Sequence, residues 1–473
     1  MQHSNDRINV ILILLAVVLG AGFIGFAITK TNFQFAMICA IGFGLVLTTF
    51  YNTKLAIYIL IFSMLLSPEI GYRSTSGKGF TIRFDDIILS IIIFTWIAKS
   101  TINNQLKMVQ TTFMHKTFTI YFIICIISTG LGIIRQDVNL LTGFFFIFKY
   151  FQYFMIFFIV ISFIKTKKDI HDFFKAIYIV YTIVIIITVI SIPTTERLSS
   201  PFEGKQGEPN TLGGYLLLIS TTNLGIIYFC NSIKKFNKKL IFITTIISII
   251  PLLFTNSRGS WLAGIPVIFS FILLRKSRFP AILLLAVILL VGPIMLPEKI
   301  VDRFQYTFKE QQGYGRTLQE EVGNVILDPS ASERVRSWVR VVNDLPKHLL
   351  LGFGITGWQF LDSQYMRALI ETGIFGLLAL LYFIYSILKS AWIIQTNAKD
   401  TFFKGLSFGF FIATIAMAFH AISANTFIII RIMEPFYLLC GMVFAIPFVE
   451  QNQEKEKYSE QTKISQNQRI PSI

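Results

Sequence analysis

The sequence predicts an all-α, polytopic integral membrane protein of about fourteen transmembrane helices with one large extracytoplasmic loop. Composition is the first ground for this expectation. Of 473 residues 54% are hydrophobic and 14% charged, with a mean hydropathy of +0.65, too little polar surface to clothe a soluble globule. Length is the second. Apolar runs of roughly 17–25 residues recur along the whole chain, the span an α-helix needs to cross about 30 Å of hydrocarbon. The third ground is the spacing of lysines, which crowd into alternate loops.

The spans follow in order. Ile8–Ile28 opens the series, and no small-x-small cleavage pattern follows it, so it reads as a retained helix. Phe33–Phe50, Leu55–Ser67, Ile87–Ala98, Phe118–Ile134, Leu140–Ile164 and Phe173–Ile192 complete the first half. Leu212–Cys230, Leu240–Phe254, Trp261–Leu274, Pro280–Leu296, Tyr365–Leu388, Gly405–Ala424 and Phe427–Val449 make up the second. Together they form one membrane domain over residues 1–450, interrupted by an extracytoplasmic loop at 297–364. The Gln-, Glu-, Lys- and Ser-rich residues 451–473 lack the apolar side chains to fold alone and are expected to be a disordered cytoplasmic tail.

Orientation rests on the lysines. Lys165, Lys167 and Lys168, then Lys234, Lys235, Lys238 and Lys239, then Lys389, Lys399 and Lys404 mark cytoplasmic loops. An even number of spans then leaves both termini in the cytoplasm. Arginine is sorted the other way: twelve of the sixteen arginines fall on the outer side, within a net charge of +16. Guanidinium is a planar, permanently charged fork suited to bidentate phosphate binding, so this asymmetry points to an external phosphate or pyrophosphate site. Solvated surface pairs are the plainer alternative.

Three segments could carry chemistry. TNSRGSWLAG sets Arg258 in a turn between two spans, where a charge normally has a partner or a task. TTERLSSPFEGKQGEPNTLGG brings Arg197 and Lys205 before a helix that begins at Pro209 and Asn210 and carries Gly213 and Gly214 in its first turns. In the large loop, Ser332 is a candidate N-cap for a short helix lying along the outer interface. Val335, Trp338, Val339 and Val342 would form its apolar stripe, and Arg334, Arg336 and Arg340 cluster on it, with Arg336 and Arg340 expected to face a cavity. Beyond Gly352-Phe353-Gly354, Asp362 stands at the threshold of the next span, with Tyr365, Arg367 and Glu371 following. Asp362 is a candidate base for a sugar hydroxyl and equally a candidate N-cap. His348 and His420 are further candidates for a base or for satisfied structural residues. The four cysteines lie inside spans, no metal-ligand spacing occurs, and no phosphate-cradling glycine loop for a nucleotide is present.

Taken together, Glu208-Pro209-Asn210, Ser257-Arg258-Gly259, Arg334 to Trp338, Gly352-Phe353-Gly354, Asp362 to Tyr365 and Glu371 to Gly373 resemble the O-antigen polymerase and O-antigen ligase superfamily of bacterial envelope proteins. The resemblance covers about residues 197–376. It implies a GT-C-like glycosyltransferase in the bacterial cytoplasmic membrane, acting on undecaprenyl-pyrophosphate-linked glycans and surrounded by membrane lipids. No cofactor, metal or nucleic acid is implied, and a chain-length regulator is a further candidate partner. Asp362 stands where the ligase branch usually carries a histidine, which favours polymerisation of repeat units into surface polysaccharide. Transfer of glycan to lipid A core by a ligase, and transport by a flippase, are the alternatives. In the implied chemistry Arg258, Arg334 and Asp362 are catalytic, with inversion expected. Arg197, Asn210, Arg336, Arg340, Tyr365, Arg367, His348, His420 and Glu371 would contact substrate.

Overall fold

The computed structural model describes residues 42, 44–49, 51–70, 82–102, 112–203, 207–230, 237–274, 301, 321–322, 325–326 and 329–467. The expected spans Ile8–Ile28 and Pro280–Leu296, most of Phe33–Phe50, and Arg73, Lys205, Arg303 and Arg316 lie outside them. Among the described residues seven helices are long and apolar enough to cross a membrane, and two shorter apolar helices accompany them. Apart from two short strand pairs the regular structure of the described residues is helical, and the chain is thus a polytopic membrane protein. Ile127, Phe144, Phe269 and Tyr385 are among the large apolar side chains left exposed on the bundle, as hydrocarbon rather than water would permit.

Helix α1 is Thr53–Leu66 and α2 Phe84–Ile102, with strands β1 (Glu69–Ile70) and β2 (Ile82–Arg83) forming a two-residue antiparallel ladder between them. Helices α3 (Phe113–Ile134), α4 (Leu140–Phe163), α5 (Lys167–Ser191) and α6 (Pro209–Phe229) follow. Their starts obey local chemistry: Asn139 Oδ1 accepts the amides of Leu141 and Thr142 at α4, and Thr166 with Asp169 forms a capping box at α5.

The ninth expected span, Leu240–Phe254, is two helices, α7 (Lys238–Ile247) and α8 (Ile249–Phe254). Pro251 has no amide to give Ile247, and Ser248 at the junction turns its hydroxyl back onto Thr245 O at 2.7 Å. Helix α9 (Arg258–Leu274), the ladder β3–β4 (Glu321–Val322, Val325–Ile326), α10 (Pro329–Asp344), α11 (Gln364–Asn397), α12 (Thr401–His420) and α13 (Ile430–Asn467) complete the order. Residues 451–467, expected to lack regular structure, continue α13 as helix, a conformation that Gln, Glu and Lys favour, and Lys399 pairs with Glu454 across to it.

Helices α6 and α12 meet backbone to backbone. A Cβ placed on Gly225 would overlap Gly409, one on Gly409 would overlap Thr222, and one on Gly405 would lie 2.7 Å from Ile226 Cα. Gly405 and Gly409 form the small-xxx-small spacing by which membrane helices approach closely. We expect Gly409→Leu to lower the unfolding temperature in detergent and the yield of folded protein, because overpacking costs about 1–3 kcal/mol. Gly264→Leu, whose Cβ would meet nothing within 4 Å, is the control that should leave both unchanged; equal behaviour of the two variants would refute the contact.

Buried charges fasten the first helices to the last. Arg83 Nη2 lies 2.7 Å from Asp85 Oδ2, Lys149 Nζ lies 2.9 Å from Asp86 Oδ2, and Arg431 donates to Leu65 O at 2.8 Å and Ser67 O at 3.0 Å. Each ion is paired or hydrogen-bonded, the condition under which buried charge is tolerated.

Helix α11 is broken at Gly373, which has φ +68° and ψ −170°. The preceding loop lies across the break. Phe353 N and Gly354 N donate to Ile370 O (3.0 Å) and Glu371 O (2.8 Å), while Ile374 N and Phe375 N donate to Leu349 O (3.0 Å) and Leu350 O (3.3 Å). The helix surrenders two internal bonds, Ile374 N to Ile370 O and Phe375 N to Glu371 O, and all four freed groups find partners in the loop.

Candidate functional site

A cavity of about 210 Å³ opens at one end of the bundle, lined by Arg197, Glu208, Pro209, Asn210, Asn256, Ser257, Arg258, Gly259, Ser330, Arg334 and Asp362. At about 30 Å³ per water it holds the equivalent of roughly seven waters. Four helices begin at its wall: α6 at Pro209, α9 at Arg258, α10 at Pro329 and α11 at Gln364, two residues past Asp362. Each N-terminus contributes about half a positive charge. Three arginines face two carboxylates across the same space, so both side chains and backbone favour an anion.

Local structure explains the convergence. Asn256 takes φ +51° and reverses the chain between α8 and α9, its Nδ2 donating to Glu196 O at 3.2 Å while Arg197 Nη2 donates to Asn256 O at 3.4 Å. This ties the segment carrying Arg197 to the turn carrying Arg258. Helix α10 begins at Pro329, three residues before the expected cap at Ser332. Its inner side packs Trp338 and Val341 with Leu361, Met366 and Ile370, while Val339 and Val342 are exposed. That packing holds Ser330 and Arg334 over the cavity.

Asp362 is fixed on both flanks. Asn425 Nδ2 donates to Leu361 O at 2.7 Å, and Gln364 N donates to Ala421 O at 2.9 Å, so the turn joining α12 to α13 sets the position of the carboxylate. Arg334 Nη2 stands 3.8 Å from Asp362 Oδ2, an ion pair longer than a hydrogen bond, and Arg334 Nε is buried with no hydrogen-bond partner. Burial pushes the Asp362 carboxyl above the ordinary carboxylate range, and the charges of Arg334 and Arg367 hold that rise in check.

Of the residues singled out from the sequence, Arg197, Asn210, Arg258, Arg334 and Asp362 therefore share one chamber. The others do not line it. Arg336 and Arg340, expected to face the cavity, meet Glu333, which lies one turn back from the first and two turns back from the second on α10, because the helix turns the 330–334–337–341 face inward. Arg367 pairs with Glu371 at 3.1 Å and lies over the Phe146 ring, and Glu371 Oε1 accepts Thr356 N at 2.9 Å. Tyr365 donates to Ala418 O at 2.7 Å. His348 Nδ1 sits 3.1 Å from Arg135, whose Nη2 donates to Gly352 O at 2.7 Å, a clamp on the glycine loop. His420 is fully buried beneath the cavity wall. Of the twelve outer arginines, three reach the chamber; Arg83, Arg135, Arg336, Arg340, Arg367 and Arg431 are held by protein groups, and Arg73, Arg303 and Arg316 lie outside the described residues.

From the sequence Glu208 and Ser257 were noted only as motif members and not as site residues, while Asn256 and Ser330 as wall residues and Asn425 as the brace of Asp362 were missed. The signal for Ser257 was its place beside Arg258; for Asn425, an amide in an apolar stretch of chain.

Residues 243–381 match the family model described as O-antigen ligase. The match takes in Ser257–Gly259, Arg334–Trp338, Gly352–Gly354 and Asp362–Gly373, and it supports the O-antigen polymerase and ligase superfamily for this chain. Pro209 and Asn210 lie before the matched segment and join it in space, through the bond from Ser257 to Asn210. No curated protein matches the chain.

Proposed function

We propose that this protein polymerises polyprenyl-pyrophosphate-linked oligosaccharide repeat units into a surface polysaccharide, on the outer side of the bacterial cytoplasmic membrane. The observation that carries this reading is the convergence of Arg197, Arg258 and Arg334 with four helix N-termini on one chamber beside Asp362. The orientation draws support from charge: Lys167, Lys238 and Lys399 stand at the helix ends opposite the cavity, where the excess of lysine belongs in the cytoplasm.

In this mechanism Arg258 and Arg334 grip the diphosphate of a growing lipid-linked glycan. A hydroxyl of a second lipid-linked unit, oriented and deprotonated by Asp362, attacks the anomeric carbon. The C–O bond to the diphosphate breaks, the lipid diphosphate leaves with its electron pair, and its charge settles against guanidinium and amide donors already in place. A single displacement inverts the anomeric centre, and the arginines supply the electrostatic stabilisation without a metal. Asp362 in the position of the ligase histidine favours polymerisation over ligation.

Reconstitution decides among the classes. Purified protein with one short lipid-linked glycan should yield a ladder of longer lipid-linked products. Transfer only to a lipid A core acceptor would establish a ligase, and movement of substrate across vesicles without a ladder a transporter; either result overturns the proposal.

The raised carboxyl of Asp362 gives this reading a pH signature. As a base it works ionised, so the rate climbs with pH through a limb lying above the ordinary carboxylate range. Arg334 lowers that pKa, so Arg334→Gln should move the limb to still higher pH in the residual activity. Initial rates between pH 4 and about 8 would show it, and a limb left in place would disconnect Asp362 from proton transfer.

A further inference from the structure

A file of buried polar side chains runs from the cavity wall into the bundle. Thr426 Oγ1 lies 2.8 Å from His420 Nδ1, His420 Nε2 lies 3.1 Å from Ser260 Oγ, and Ser260 Oγ lies 2.8 Å from Ser257 Oγ. Ser257 Oγ donates to Asn210 Oδ1 at 2.6 Å, and Asn210 Nδ2 donates to Glu208 Oε1 at 3.2 Å. Ser257, Ser260, His420 and Thr426 are all at most 2% exposed.

The last bond fixes the direction of all the others. A carboxylate only accepts, so Asn210 turns its NH₂ toward Glu208 and its carbonyl oxygen toward Ser257. Ser257 uses its proton on that oxygen and accepts from Ser260, and Ser260 in turn accepts from His420 Nε2–H. His420 Nδ1 is left with a lone pair for the Thr426 hydroxyl. The chain has one polarity throughout and assigns His420 the neutral Nε2–H tautomer.

The first turns of α6 are shaped around this file. A Cβ on Gly213 would overlap Ser260 Oγ, and one on Gly214 would overlap Ile432 and stand 3.3 Å from His420 Cε1. Two adjacent glycines point about 100° apart on a helix, a consequence of 3.6 residues per turn, and here they clear the space for two successive members of the chain. The Pro-Asn and Ser-Arg-Gly segments are thus one physical unit whose third part is His420.

We propose that His420 is a positioning residue which, through Ser260 and Ser257, locks the Asn210 amide so that its remaining N–H serves the cavity as a neutral donor to a phosphate oxygen. The inference rests on the reading of the cavity as a diphosphate site. It removes His420 from the candidates for a base: the ring has no opening to the chamber and both its nitrogens are committed.

The test uses the full-length protein in lipid vesicles, with kcat and KM measured on a short lipid-linked glycan. Ser260→Ala and His420→Leu should each lower kcat/KM by about 10- to 100-fold, the scale of a misplaced contact group, and the double variant should lose no more than the worse single one. His420→Gln, which keeps an N–H at the place of Nε2, should recover most of the rate; a base would be lost equally in Gln and Leu. Nitrogen spectra of ¹⁵N-histidine protein should show an Nε2–H tautomer that disappears in His420→Gln. Additive losses, an unaffected Ser260→Ala, a Gln variant as poor as Leu, or an Nδ1–H tautomer would each overturn the proposal. Should His420→Leu fail to fold, Ser260→Ala and the tautomer still decide. If Arg258→Ala is impaired while Ser260→Ala is not, only this inference fails; if Arg258→Ala is itself unimpaired, the diphosphate reading fails with it.

Discussion

Arg258→Ala is expected to slow ladder formation by about 10²- to 10³-fold, with most of the loss in kcat, since removing one preorganised donor to developing charge costs about that much. The position justifies the size. Arg258 is the first residue of α9, so guanidinium and helix terminus act on the same chamber, and Ser257 and Gly259 beside it also form the wall. Arg258→Lys should recover little, because an ammonium is a point charge without the two-pronged geometry. Arg334→Ala should fall in the same range: its guanidinium stands over the cavity at 3.8 Å from Asp362 and its Nε has no acceptor in the protein. Single-turnover rates with purified protein measure the effect. Loss confined to KM would move these arginines from transition-state stabilisation to simple binding.

Gly373→Ala is expected to destabilise the fold by roughly 2–6 kcal/mol. About 1–3 of this arises from backbone strain, since φ +68° with ψ −170° lies in a region essentially confined to glycine. About 1–3 more arises from overlap, because a Cβ there would run into the backbone of Leu350 and Leu351. The loop from Leu349 to Gly354 would lose its seat across the break in α11. The predicted observation is a large drop in thermal transition, together with new protease cutting in residues 349–357. An intact transition would show that the break adapts to a side chain.

The sequence disclosed the bundle well because a membrane span is a long, local signal. Ten of the expected spans each coincide with one described helix, Leu140–Ile164 against Leu140–Phe163 being typical. Its failures are of another kind. Splitting of Leu240–Phe254 turned on one missing amide at Pro251, which hydropathy does not register. Gly352-Phe353-Gly354 and Glu371 to Gly373 were noticed as separate motifs, yet they are two halves of one backbone joint, and only folding brings them together. Arginines raised the same difficulty. Arg336 and Arg340 lie only two and six residues past Arg334, but a rotation of about 100° per residue sends them to Glu333 instead of the chamber. Arg83, Arg135 and Arg431, counted among the outer arginines, serve as internal rivets, since the same fork that fits a phosphate also fits backbone carbonyls.

The close seam between α6 and α12 constrains traffic through the membrane. Where Gly225 lies directly on Gly409 and Gly405 on Ile226, no crevice is wide enough for an isoprenoid tail. If the proposed substrate's head is seated beneath Arg258, its hydrocarbon anchor leaves by a different flank, and any doorway to the bilayer is to be sought around this close pair of helices rather than through it.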